Sequence, residues 1–87
     1  MSIKVVTFKS SLTLVGEVFE GYLSIKIKTP QQLVVQDSEA GKIVVFIPFL
    51  EYTAQYTSGI EFKLDNILCI NDPVKGLEVE YQKVIGE

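Results

Sequence analysis

The segment "LTLVGEVFEGYLSIKIK", residues 12–28, decides the predicted fold. Its second half alternates strictly, because Leu23, Ile25 and Ile27 are separated by single polar or charged residues. Alternation with a period of two is typical of a strand that buries one face. Gly16 interrupts the first half, and an isolated glycine in a strand usually marks a bend or a bulge. The segment therefore predicts two strands, one of them bent as sharply as a small barrel requires.

The same period continues on both sides of this segment. Further short strands are predicted at residues 3–9, 31–37, 41–52, 60–64 and 67–70. Thr29-Pro30 is expected to break the chain between two strands, and residues 53–59 are expected to form a polar loop. Five or six short strands without a helical core predict an all-β fold, namely a small, strongly bent barrel.

The chain after residue 71 has two interpretations. Asp72-Pro73 is a favourable helix start, with Asp72 as the N-cap and Pro73 in the first turn. Four apolar residues would then share one helical face: Val74, Leu77, Tyr81 and Val84. Against this, "LEVEY" alternates as a strand would, and Gly76 destabilises a helix by roughly 1 kcal/mol relative to alanine. We favour a short helix within residues 72–85, following a barrel at about residues 3–71, all in one domain that spans residues 1–87.

The composition excludes several classes of function. The 87 residues are 47% hydrophobic and 22% charged, as in ordinary globular domains. The chain has no histidine and a single cysteine, Cys69, so transition-metal sites and the usual nucleophile–base pairs lack their components. We therefore expect no enzyme, no metal and no cofactor. Cys69 lies in an apolar run and is predicted to be a buried structural thiol, and Glu78 and Glu80 are predicted to lie on a solvated face.

Charge and hydropathy restrict the partners and the location. The formal net charge is −3, and all eight basic residues are lysines, so nucleic acid would bind only where lysines are concentrated locally. The amino-terminal residues contain no apolar signal segment, and no apolar run approaches the roughly 18 residues that span a bilayer. These features predict a cytoplasmic protein, of a cell or of an infecting phage, without a membrane partner.

A second stretch, "GKIVVFIPFLEY" at residues 41–52, carries more apolar surface than one small domain can cover. It divides by alternation into a row predicted to fill the barrel and a row that needs an external partner. The first row is Ile43, Val45, Ile47 and Phe49, and the second is Val44, Phe46, Pro48 and Leu50. Because proline donates no hydrogen bond to a central ladder, Pro48 is expected at an edge, a bulge or a strand end.

Three segments in this order resemble the Sm/LSm family of small barrels: "FKSSLTLVGEV", "EGYLSIKI" and "FKLDNILCI". The first is similar to that family's opening hairpin, and the other two to its loop-bearing motifs. The chain looks most like the divergent Sm-like proteins of tailed phages, including cyanophages. That likeness rests on Pro30, on "FIPFL", on Asp72-Pro73 and on Tyr81-Gln82. The resemblance also implies a five-stranded barrel of SH3-like type, which no N-terminal helix precedes.

The resemblance implies a cyclic homo-oligomer of about five to seven subunits, with a pentamer or hexamer favoured. In that family the fourth strand of one subunit pairs with the fifth strand of the next. The subunit interface would then comprise Val44, Phe46, Pro48, Leu50, Ile67, Leu68 and Ile70. The family binds RNA in two loops around the pore, which implies single-stranded RNA at Tyr22, Ser24, Lys63, Asp65 and Asn66.

Plainer interpretations of these residues stay open. Lys26 and Lys28 would lie on a solvated strand face, and Tyr22 would cap the barrel end instead of stacking on a base. The residues around Lys63 would form only a tight turn with an exposed lysine. The resulting alternative is a ring that acts as a protein-interaction scaffold and binds no nucleic acid, and the missing arginines favour it.

Overall fold

A computed structural model describes residues 2–86, which form six strands, two α-helices and one 3₁₀ turn. The strands are β1 Ile3–Phe8, β2 Thr13–Glu20, β3 Ser24–Ser38, β4 Gly41–Pro48, β5 Ile60–Lys63 and β6 Ile67–Asn71. The helices are α1 Gln55–Ser58 and α2 Lys75–Val84, and the 3₁₀ turn is Leu64–Asn66. The predicted all-β class with a short C-terminal helix is confirmed. No helix in this part of the chain is both long enough and apolar enough to cross a membrane.

The strands form one antiparallel sheet in the order β4-β3-β2-β1-β6, and β5 pairs with β3 outside that path. The first half of β3 pairs with β5, from Ser24 opposite Lys63 to Ile27 opposite Ile60. Its second half pairs with β4, from Gln31 opposite Pro48 to Ser38 opposite Gly41. One long strand thus serves two others, which bends the sheet into a barrel-like shape.

The bend lies where Gly16 in β2 faces β3, as the sequence predicts. The register of the β2–β3 pair shifts between Val15 and Glu17, which is a bulge. A Cβ atom on Gly16 would lie 2.4 Å from Ile27 Cγ2 and 3.0 Å from the Lys28 carbonyl oxygen, so the two strands approach too closely for any side chain here.

The predicted break at Thr29-Pro30 is wrong, because β3 passes through these residues without ending. Thr29 has a positive φ of 45°, and the chain bends there instead of turning back. Pro30 packs against the bulge, where its Cα would lie 3.4 Å from a Cβ placed on Gly16. Since the β2–β3 ladder is already interrupted at the bulge, the missing N–H of proline is tolerated there.

Buried side chains form two clusters on the two faces of the sheet. The barrel cluster is Val6, Phe8, Leu14, Val18, Ile25 and Ile27, with Phe49 and Phe62 packed against it. The outer cluster lies beneath α2 and comprises Ile3, Val15 and Tyr81, with Leu33, Phe46 and Ile85 at its margin. Helix α2 therefore completes a second small core on the outside of the barrel.

Tyr81 anchors α2 to the bend in β3. Its hydroxyl donates to the Thr29 carbonyl oxygen at 3.0 Å and lies 2.8 Å from the Thr29 hydroxyl. Burial raises the pKa of the Tyr81 phenol above its usual range. The helix begins at Lys75 after Val74, so the predicted N-cap at Asp72 is wrong. The Asp72 carboxylate instead pairs with the Lys4 ammonium of β1, which raises the pKa of Lys4.

Residues 53–59, predicted as a loop, contain the single helical turn α1. It brings the Tyr56 hydroxyl within 2.5 Å of the Gln31 amide nitrogen, which donates to it. The Gln31 side chain is buried in β3, and this contact satisfies one of its polar atoms. The turn thus supplies a hydrogen-bond partner, Tyr56, for a buried amide group of the sheet.

Candidate functional site

Three of the residues predicted to contact RNA meet in one pocket, although they come from two distant segments. Ser24 at the start of β3 pairs directly with Lys63 at the end of β5. The Leu64 amide donates to the Leu23 carbonyl at 3.1 Å and fastens the 3₁₀ turn to the β2–β3 loop. The pocket has a volume of about 430 Å³. Its lining residues are Leu23, Ser24, Glu61, Lys63 and Asp65.

The charge in this pocket is mixed. The Ser24 hydroxyl donates to the Glu61 carboxylate at 2.7 Å, so it is already engaged within the chain. Lys63 supplies one positive charge beside the carboxylates of Glu61 and Asp65. Such a pocket offers hydrogen bonds to the edges of a base, while its acidic groups oppose a phosphate.

Glu61 and Leu23 are members of this pocket that the sequence analysis missed. The signal for Glu61 is present in "IEFKL", because residues two apart in a strand lie on one face and Glu61 therefore points the same way as Lys63. Alternation groups Leu23 with Ile25 and Ile27 on the buried face of one strand, and for Leu23 this prediction is wrong. Leu23 precedes β3 and is 73% exposed, so its side chain lines the pocket and does not enter the barrel cluster.

Tyr22 and Asn66 are not part of the pocket. Tyr22 is 92% exposed in the β2–β3 loop, which contradicts the interpretation that it caps the barrel end. Asn66 lines a separate pocket of about 270 Å³ with Phe8, Lys9 and Phe62. Its carbonyl accepts a hydrogen bond from the Lys9 amide at 2.9 Å. The five predicted RNA contacts therefore divide into a cluster of three, an exposed aromatic ring and an amide that lines a different pocket.

The two lysines of β3, Lys26 and Lys28, are not among the residues that line the pocket. Lys26 is exposed and stands opposite Glu61 in the β3–β5 ladder. The Lys28 ammonium lies 5.0 Å from the centre of the Phe19 ring, within the range of a cation–π contact. Each lysine thus has a neighbour within its own chain that suits its charge.

The second candidate surface is the β3–β4 ribbon, which we define as residues 33–46. Four large apolar side chains on or beside it are between 44% and 59% exposed: Val35, Ile43, Val44 and Ile47. Cross-strand pairs place Val35 and Val44 on one face, and alternation places Ile43 and Ile47 on the other. Both faces of the ribbon therefore present apolar surface to solvent.

The structure divides the apolar stretch differently from the predicted two rows. Of the row predicted to fill the barrel, Phe49 packs against the barrel cluster, while Ile43 and Ile47 stay exposed. Of the outward row, Phe46 packs at the margin of the outer cluster. Alternation ends because Pro48 is the last residue of β4 and Leu50 turns the chain with a positive φ of 56°. Pro48 does lie at a strand end on an edge strand, as predicted.

Strand β6 forms the opposite end of the sheet. Ile67 and Ile70 pack against the barrel cluster, whereas Leu68 is 66% exposed. The prediction of a buried thiol is wrong for the single chain, because Cys69 is exposed. Cys69 pairs with Thr7 and faces the outside of the barrel, where its sulfur accepts a hydrogen bond from the Asn71 side-chain amide at 3.4 Å and stays exposed.

Comparisons with known proteins assign no family and no function to the chain. The chain matches none of the known protein families against which it was searched, and no curated protein is significantly similar to it. Within residues 2–86, no three side chains of histidine, cysteine, aspartate or glutamate come close enough together to hold a metal ion.

Proposed function

We propose that the chain is the subunit of a cytoplasmic, Sm-like ring of about five to seven copies, most simply a pentamer or hexamer, that binds single-stranded RNA. One observation carries the proposal: the sheet ends in two different edges, β4 and β6, and each bears exposed apolar side chains. An edge strand with exposed apolar residues is a template for pairing with another chain. Two unlike edges on one subunit make a head-to-tail contact, and such a contact gives a ring where the rotation between neighbours closes and an open filament where it does not.

Charges at the strand ends support an antiparallel pairing of β4 with β6 of the next subunit. In that orientation Lys42 at the start of β4 approaches the neighbour's Asp72, which follows β6 and is already paired with Lys4 of its own chain. Glu51, after the other end of β4, approaches the neighbour's Lys9, which is hydrogen-bonded to Asn66 just before β6. The parallel alternative would set Lys42 beside Lys9 and lose both attractions.

The RNA half of the proposal rests on the pocket of Ser24, Lys63 and Asp65. A ring repeats that pocket, and one exposed Tyr22, once per subunit around a common axis. Repetition concentrates lysines that are sparse on an acidic monomer, and each tyrosine offers a stacking platform worth roughly 1–3 kcal/mol per base. The likeness to phage proteins supports a role in RNA metabolism within an infected host cell.

Fluorescence anisotropy with labelled U-rich and A-rich single strands tests the RNA half. We expect salt-dependent binding that Lys63→Ala weakens, with a salt slope that falls by about 0.7 for each phosphate of the single strand that the variant no longer neutralises. Lys83→Ala is the matched control, because Lys83 lies on α2 and pairs at 3.5 Å with Glu80. Wild-type protein that shows no salt-dependent binding would contradict RNA binding.

A second candidate function is the same ring acting as a protein scaffold without nucleic acid. The hydrogen bond from Ser24 to Glu61 favours it, because a carboxylate then lies where RNA would bind. The substitution Glu61→Gln separates the two candidates. If the pocket is an RNA site, the substitution should strengthen RNA binding. If the ring is a scaffold, neither the wild type nor the variant should bind RNA.

A further inference from the structure

A groove with a volume of about 650 Å³ lies between the start of α2 and the β3–β4 ribbon. Its lining is almost wholly apolar and includes Val35, Val44 and Phe46 from the sheet and Val74 and Leu77 from the helical segment. Val74 is 75% exposed. An apolar groove of this kind, open on a small domain, marks an interaction site.

The groove opens at the free edge of β4. Alternation places Ile43 on the face opposite Val44, yet both residues line the groove. Because side chains from both faces of the edge strand β4 line the same groove, the groove must extend around the free edge of β4. Its occupant therefore lies beside β4, where the proposed function places the β6 strand of the next subunit.

The face of β6 that would meet the groove follows from the ladder. Cys69 is paired with Thr7, and Val5, two residues earlier in β1, is paired with Val15 on the outer face. That face continues through Gln31, the partner of Val15, to the Leu33–Phe46 pair. Cys69 thus shares the outer face with the groove, and a strand paired with β4 presents its outer-face side chains about 4.5–5.5 Å from those of β4.

We infer that the groove between α2 and the β3–β4 ribbon is the socket for β6 of a second copy of this chain. The neighbour's Cys69 covers Val44 and Phe46, and the neighbour's exposed Leu68 lies beside them. This socket rests on the proposed ring and adds a role for α2, whose first turn packs against the adjacent subunit's β6 strand from outside the barrel. It also explains the exposed thiol of the single chain, since Cys69 becomes buried on assembly.

Substitutions at the two ends of α2 test this socket without touching either sheet edge. Val74→Glu, at the residue before α2, places a charge in the groove, and Val84→Glu places the same charge at the exposed last residue of α2, outside the groove. We expect Val74→Glu to weaken assembly by at least about tenfold, because an unpaired charge is costly to bury, and Val84→Glu to leave assembly unchanged. Val74→Lys should act like Val74→Glu, which separates burial of a charge from repulsion by Glu80.

Two readouts are needed: the native mass by sedimentation, and the rate at which iodoacetamide modifies Cys69. In the wild-type oligomer the thiol should react at least about tenfold more slowly than in Val74→Glu, whose circular dichroism should match that of the wild type. If the wild type is an oligomer whose mass and thiol protection survive both Val74 substitutions, the socket is wrong and the ring stands. If the wild type is monomeric, the ring itself is wrong, and the socket with it.

Discussion

The barrel body, which we define as the strands packed around the barrel cluster, and the β3–β4 ribbon both carry large apolar side chains, and the two regions differ in what covers those side chains. Ile25 and Ile27 in the first half of β3 are at most 1% exposed, whereas Val35, in the second half of the same strand, is 59% exposed. The first half of β3 lies over the barrel cluster, and the second half leaves it as one strand of the ribbon. The apolar residues of the body stabilise the folded chain, and those of the ribbon remain available to a second chain.

The largest expected effect comes from truncating isoleucine in the two regions. Ile27→Ala should lower the free energy of unfolding by about 2–5 kcal/mol, because the side chain is fully buried. Ile43→Ala should cost less than about 1 kcal/mol in the dissociated chain, where 48% of the residue is exposed. Urea denaturation measures both free energies of unfolding, at protein concentrations too low for assembly. Similar losses in the two variants would abolish the distinction between body and ribbon.

A second pair of substitutions tests whether the bend at the bulge separates these regions. Gly16→Ala should destabilise the fold by about 1–3 kcal/mol, since its Cβ would collide with Ile27. Gly76→Ala on α2 should stabilise it by roughly 0.5 kcal/mol, because the added methyl group meets nothing within 4 Å. Thermal unfolding followed by circular dichroism compares them. A Gly16→Ala variant as stable as the wild type would show that close strand contact does not set the bend.

The hydrogen bond that links α2 to β3 is expected to contribute a smaller amount to the free energy of unfolding. Tyr81→Phe should cost about 1–2 kcal/mol, because it removes a hydroxyl that bonds to Thr29 and leaves buried oxygen atoms with fewer partners. Tyr22→Phe is the control, since Tyr22 is exposed and has no such bond. Equal stability of the two variants in denaturant would mean that Tyr81 acts only through its ring.

The smallest expected effect is a change in the stability of the fold at alkaline pH. Burial raises the pKa of Tyr81, so the folded state holds the phenol proton more tightly than the unfolded state. The resulting stability is complete below the unfolded pKa of about 10 and is lost as the pH rises through the higher folded value. The difference in stability between wild type and Tyr81→Phe should therefore shrink above about pH 10. A difference that stays constant from pH 8 to pH 11 would contradict this.

Local pattern predicts most of the fold and only part of the site. The alternation around Ile25 and the isolated Gly16 predict strands and a bend because both depend on neighbours within a few residues. The continuity of β3 through Thr29-Pro30 escapes prediction because it depends on Gly16 of another strand, which accommodates the proline. Tertiary context here overrides the usual effect of proline.

The same distinction holds for the candidate site. Resemblance predicts Ser24 and Lys63, and the β3–β5 ladder brings them together. The apolar sequence neighbours of Cys69 predict that it is buried, but burial in a sheet depends on what covers each face. In the single chain α2 covers another part of that face, and the thiol of Cys69 stays exposed with a hydrogen bond from Asn71. If the proposed ring is correct, the prediction of a buried thiol fails for the subunit and holds for the assembly.

The native mass of the wild-type chain and of Ile43→Lys tests the central claim most directly. A lysine on an edge strand discourages pairing with another chain, and Ile43 lies on the exposed edge of the sheet. In analytical ultracentrifugation at micromolar concentration, we expect the wild type to sediment at five to seven times the 9.7 kDa of one chain and Ile43→Lys to sediment at lower mass. A wild-type protein that sediments as a single chain would contradict the account of the ribbon as an assembly surface.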